Sequence, residues 1–253
     1  MTQTVSPRDC AVVIGTGTRS GLGGALCARF HAQGLAVYAA GRSREKIEHT
    51  AREIDPSGQR VTAVVMEAAE PADVSALFAR IAADGRIPKV VVFNAAERNI
   101  PMSMLNTTPE QLEQVWRSNC FAGALVGQEA LRRMLPQAEG TLIFTGASGS
   151  LRGRARFAAF ASAKAGLRAL AQSMAREFGP KGIHVAHVII DGVVNGDRAG
   201  KFAAGLGKAY LISRGNDGSL HPDAVAESYW QLHLQHRSAW THELDLRPFK
   251  ESF

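Results

Sequence analysis

A short apolar strand, AVVIGT (Ala11 to Thr16), runs without a break into TGTRSGLG (Thr16 to Gly23) and then into a helical segment, GLGGALCARFHAQG, that Gly34 stops. Strand, glycine turn and helix in immediate succession leave few folds open. Glycines at Gly17, Gly21 and Gly23 let the backbone approach a phosphate closely. The helix N-terminus that follows offers free N–H groups and the positive end of a dipole. The same spacing elsewhere would be weak evidence. After the first strand of a βαβ unit it points to a dinucleotide site, against a turn needed only for tight packing.

The rest of the chain keeps the alternation. Strands are expected at LAVYAAG (Leu35 to Gly41), RVTAVVME (Arg60 to Glu67), KVVVFNAA (Lys89 to Ala96), GTLIFTGAS (Gly140 to Ser148) and GIHVAHVII (Gly182 to Ile190). Between them lie SREKIEHTAREID, DVSALFARIAADG, one long helix from Thr108 to Leu135, and another from Phe157 to Phe178. Thr108 before Pro109 is a helix-start signal. HPDAVAESYWQLHLQ reads as a further helix and WTHELDL as a last edge strand. This order predicts an α/β, single-domain Rossmann-type fold over residues 1–253, a doubly wound parallel sheet with helices on both faces. The least patterned stretch, about 193–220, is the expected variable wall of a substrate pocket.

Bulk properties remove other classes. With 253 residues and 45% hydrophobic content, one large core is favoured over two small ones. No apolar run reaches a membrane span, and the N-terminus lacks a basic-then-apolar leader. Cys10, Cys27 and Cys120 are few and far apart, which suggests a reducing, cytoplasmic setting and no metal site. His184 and His187 are three apart on a strand and should face opposite ways. The net charge is +6, but Arg152, Arg154 and Arg156 are the one tight basic cluster, and no nucleic-acid-binding motif accompanies them.

The end of the second strand bears on which dinucleotide is bound. NAD-selective sites usually place an acid there for the ribose hydroxyls. Here the residues are Ala40, Gly41, Arg42 and Ser43. A guanidinium suits a 2′-phosphate, so NADP(H) is expected over NAD(H), with Arg19 able to assist.

These motifs, in this order, resemble the short-chain dehydrogenase/reductase family over roughly residues 10 to 190. TGTRSGLG matches its TGxxxGxG. FNAA (Phe93 to Ala96) stands at its NNAG, with Asn94 kept. Asn119 matches its catalytic asparagine, and Lys164 matches the lysine of its YxxxK. The tyrosine, one helical turn earlier on the same face, is replaced by Phe160. The serine position is Ala147, with Ser148 one residue along, and Ile190 and Asp191 take the place of the usual Pro-Gly.

The resemblance implies a cofactor set of Gly17, Arg19, Ser20, Gly21, Leu22, Gly23, Arg42, Glu67, Asn94 and Lys164. It implies a catalytic set of Asn119, Lys164 and Ser148. In the family the lysine holds the nicotinamide ribose and lowers the tyrosine pKa. Phe160 has no proton to give, so it is expected to pack against substrate or nicotinamide. Ser148, Ser150, Tyr210 or a water held by Lys164 and Asn119 are the candidate replacements.

Three functions remain in view: an NADP(H)-dependent oxidoreductase acting on a small carbonyl or alcohol, a catalytically silent NADP(H)-binding homologue, and a non-redox lyase or isomerase in the same pocket. Family resemblance also implies a homodimer or homotetramer through the two long helices. Arg152 is expected to face water or an anionic substrate.

Overall fold

The computed structural model describes residues 6–97, 100–196, 207–215 and 217–251. Seven parallel strands form one sheet in the order β3-β2-β1-β4-β5-β6-β7. They are β1 (Asp9–Ile14), β2 (Ala36–Gly41), β3 (Val61–Val65), β4 (Ile87–Phe93), β5 (Gly140–Ala147), β6 (Ile183–Ile190) and β7 (Glu243–Leu246). The order reverses between β1 and β4, so the carboxyl ends of these two strands border a crevice of the kind that holds ligands in doubly wound sheets.

Both faces are covered, which is why the central strands read as continuous apolar runs rather than alternating ones. Cys10, Val12 and Ile14 join a core with α3 (Pro71–Ala83), α5 (Ala122–Met134) and α6 (Ala158–Phe178). Ala11 and Val13 face the other way, towards α1 (Leu22–Ala32), α2 (Arg44–Ile54) and the helix Pro222–His233. Among the described residues the remaining α-helices are α4 (Pro109–Trp116) and α7 (Gly207–Arg214), so Pro222–His233 is α8. The edge strand expected near the C-terminus is β7, paired in parallel with β6.

Three of the differences from the sequence expectation bear on the site. β1 stops at Ile14, not Thr16, because Gly15 takes φ 98 and turns the chain. β4 stops at Phe93, where Asn94 leaves the strand to donate its Nδ2 to Gly15 O at 3.2 Å. The long helix from Thr108 is not continuous: α4 and α5 are joined by a π-helical turn, Arg117–Phe121. Its start is as read, since Thr108 Oγ1 accepts from Gln111 N and Gln111 Oε1 accepts from Thr108 N, a reciprocal cap.

Candidate active site

The glycine loop bends over the carboxyl end of β1, and its glycines are there for different reasons. A Cβ on Gly23 would lie 2.6 Å from Gly15 O, and one on Gly41 would lie 2.5 Å from Thr16 O. Close packing of strand, loop and helix therefore demands those two. A Cβ on Gly17 would meet nothing within 4 Å. Packing does not explain Gly17, and a backbone that faces open space ahead of a helix N-terminus fits a phosphate. The helix α1 has no side-chain cap and no acid in its first turn, so among the described residues no side chain occupies its first N–H groups. Thr50 Oγ1 donates to Gly17 O at 2.8 Å and anchors the loop from α2. The chain after β6 returns to the same loop, with Gly196 packed so closely on Ser20 O that a Cβ would lie 2.6 Å away.

Arg42 is exposed at the end of β2, with its Nη1 3.7 Å from Glu67 and 3.4 Å from Glu97. The structure thus brings two residues of the expected cofactor set, Arg42 and Glu67, together. Arg19 turns elsewhere, with its Nη1 3.0 Å from Asp223 at the start of α8. Asn94 ties the ends of β1 and β4 together across the crevice. Its backbone N–H donates to Ile14 O while its side chain holds Gly15 O.

Lys164 is buried at 3% exposure. A lysine running its stem along the surface to reach water would not be. Its Nζ donates to Thr145 O at 2.9 Å and lies 5.9 Å from the centre of the Phe160 ring. Thr145 is itself fixed from below by the buried Tyr229 hydroxyl, 2.9 Å from its Oγ1. Asn119 sits inside the π-helical turn. Its Nδ2 donates to Val115 O at 2.9 Å, while its Oδ1 is buried with no hydrogen-bond partner among the described residues. An unmet buried acceptor costs about 1–3 kcal/mol, so this oxygen awaits a donor. π-Turns recur at functional sites because the extra residue re-aims a side chain.

Ser148 follows β5 as the first residue of a single 3₁₀ turn, Ser148–Ser150, and its carbonyl accepts from Leu151 N and Arg152 N. The chain bends there, so strand alternation does not decide where its hydroxyl faces. Ser150 is buried and its Oγ accepts from Ala147 N at 3.1 Å. Phe160 packs on Gly149, where a Cβ would lie 3.2 Å from the ring. Tyr210 falls in α7, and its side chain lies outside the described residues.

Three features escape sequence reasoning. Arg152 faces neither water alone nor an open pocket: its Nη2 lies 3.2 Å from Asp191, which Arg247 also holds at 2.9 Å. The buried His187 keeps its Nδ1 3.1 Å from Glu243, which Arg168 grips through two nitrogens. Burial pushes the His187 pKa down to about 4 despite that carboxylate. His184, on the opposite face as expected, stacks on Trp240. The third is the π-turn. Asp191 was visible in the sequence as a departure, but its partners are 39 and 56 residues away. Among the described residues no group of three metal-ligating side chains occurs, and no helix is long and apolar enough to cross a membrane.

Residues 11–205 match the family model for short chain dehydrogenases. The chain belongs to that family. An uncharacterized oxidoreductase of Bacillus subtilis, YuxG, is 31% identical over 86% of the chain; this chain spans only 31% of YuxG. A cis-4-hydroxycyclohexanecarboxylate dehydrogenase of Sinomonas cyclohexanicum is 30% identical over 86% of each chain. The crystal structure of a short-chain dehydrogenase from Rhodopseudomonas palustris is 38% identical, covers 96% of this chain and 100% of its own, and superposes with a TM-score of 0.80. A metagenomic short-chain oxidoreductase in complex with NADP, at 22% identity, and an L-sorbose reductase of Gluconobacter frateurii complexed with NADPH and L-sorbose, at 19%, speak for the fold alone.

Proposed function

We propose that the protein is an NADP(H)-dependent oxidoreductase that interconverts a small alcohol and carbonyl with a modified proton-transfer site. The observation that carries this reading is Gly17, a glycine that packing does not require, facing open space at the topological switch point. The residues that would hold the dinucleotide are the 17–23 loop and the N-terminus of α1 for the pyrophosphate, Arg42 for the 2′-phosphate, and Lys164 for the nicotinamide ribose. When bound, the nicotinamide supplies or accepts the hydride.

The chain's own residues must then handle the proton. Phe160 can exclude water from the reacting face but cannot exchange a proton. Losing a positioned acid of this kind typically costs about 10²–10⁴ in rate. Lys164 and the unmet Asn119 Oδ1 together can hold a water that donates to the developing alkoxide. Ser148 can polarise the carbonyl. Arg42 favours NADP(H) because its charge matches the extra phosphate, which then competes with Glu67 and Glu97 for the guanidinium. Kinship with a dehydrogenase acting on a ring alcohol supports a secondary alcohol on an apolar frame as the kind of substrate.

Phe160 specifically favours a second reading, an NADP(H)-binding homologue without turnover. Titration with NADPH and NADH, followed by nicotinamide fluorescence, tests both. Tight NADPH binding with much weaker NADH binding is expected. Binding of neither would remove the dinucleotide reading. NADPH binding without consumption across a ketone and aldehyde panel would favour the silent homologue.

A further inference from the structure

A cleft opens beside Phe160 whose chemistry the oxidoreductase reading leaves unused. Ile100 and Met102 from the segment after β4, Val115 from α4, and Phe157 and Phe160 at the start of α6 give it mostly apolar walls, with Thr107, Gln111 and Gln114 adding neutral polar groups. Among the described residues two charged side chains reach it, Glu97 and Arg156. Glu97 directs its charge to Arg42, 3.4 Å away. The Arg156 guanidinium has no hydrogen-bond or ion-pair partner among the described residues.

Arg156 is held in place by its backbone. It sits at φ 71, in the left-handed region that residues with side chains rarely adopt. Its carbonyl accepts from Met102 N at 2.8 Å, which ties the two walls of the cleft together. Its neighbours in LRGRAR are used differently. Arg152 is taken by Asp191, and Arg154 is exposed and does not line the cleft. The strained position therefore delivers one uncompensated cation to an apolar cleft. The free α6 N–H groups next to it add to the positive potential, since Phe157 provides no side-chain cap.

A largely apolar cleft with one unpaired guanidinium among the described residues at its side selects a ligand with an apolar body and one anionic end. A lone planar fork suits a monoanionic carboxylate better than a polyanion, which would call for a cluster of cations. We propose that this cleft binds an apolar carboxylate, with the carboxylate on Arg156 and the body against Phe160, and that this carboxylate is the recognition handle of the substrate. The substrate role rests on the oxidoreductase reading; the binding does not.

The test is calorimetric titration of the protein, with and without NADP⁺, by cyclohexylacetate and its near-isostere cyclohexylacetamide. The acid is expected to bind at least ~10-fold more tightly than the amide. In Arg156→Met the acid should fall to the level of the amide, while amide binding stays as it was. Equal affinities in the unaltered protein would overturn the proposal, as would no binding of the acid at millimolar concentration, or an acid preference that survives in Arg156→Met. Nicotinamide fluorescence on the same samples separates the two readings. Failure to bind NADPH would sink the dinucleotide site, while the acid-to-amide ratio still decides the cleft.

Discussion

A buried ammonium is expensive unless its donors are used. Lys164 donates to Thr145 O, with a ring rather than a phenol beside it. Phe160→Tyr would place a hydroxyl one helical turn from Lys164 on the same face. The expected outcome is a rise in NADPH-dependent ketone reduction of about 10²-fold or more, in keeping with the weight of a positioned general acid. No gain, with NADPH still bound, would mean that proton delivery already runs by another route. His187 supplies a second prediction. Its folded pKa is pushed down to about 4 by burial, from an ordinary value of 6.5. Below pH 6.5 the unfolded chain therefore binds a proton that the folded chain refuses. Stability is fully present above pH 6.5, declines as the pH falls towards 4, and loses at most about 3 kcal/mol through this group. Thermal midpoints measured from pH 7 to pH 4 should fall less steeply in His187→Gln. An unchanged slope would show that His187 is not the titrating group. His233, also held near 4 by burial, remains in the variant and preserves part of the decline.

At the level of elements, local signals were legible where the chemistry was local. Thr108 before Pro109 announced the start of α4, and the structure has the full reciprocal cap. Thr108→Ala should cost about 1 kcal/mol, visible as a lowered thermal midpoint with NADPH affinity intact. A change in NADPH affinity would show that α4 feels the cofactor site. The strands and the parallel, doubly wound sheet were readable because buried parallel strands are apolar runs between helices. The glycine loop was readable because its position after β1 gives it a meaning. The π-turn was not, because Arg117–Phe121 has the composition of an ordinary helix. Only tertiary packing of Asn119 against the site distinguishes it. The same holds for Asp191 with Arg152 and Arg247, and for His187 with Glu243 and Arg168: the partners meet only when β6, β7 and α6 are side by side. Burial pushes the Cys10 and Cys27 thiols up to about 12 and keeps them protonated.

Across the whole molecule, the residues singled out for chemistry gather at the carboxyl edge of the sheet, and the two helices that carry Asn119 and Lys164 also have an outward side. Along α6 the exposed positions include Ser162, Ala165, Ala169 and Ser173, one small-residue stripe at helical spacing. On the neighbouring stretch Trp116 is 45% exposed and stacks on Phe121. Small side chains permit close helix approach, and an exposed indole beside them has apolar area to bury. The expected assembly is a homodimer or homotetramer through these helices, and light scattering after size-exclusion chromatography measures it directly. Ala169→Glu places a charge in the stripe, and burying an unpaired carboxylate there would cost several kcal/mol. The variant should run as a monomer with its far-UV circular dichroism unchanged. If the unaltered protein is itself monomeric, the stripe has no partner copy. If Ala169→Glu leaves a dimer intact, the contact lies on another surface. If the monomeric variant also binds NADPH more weakly, the assembly is holding Asn119 and Lys164 in place, and the distance from surface to site is only the thickness of one helix.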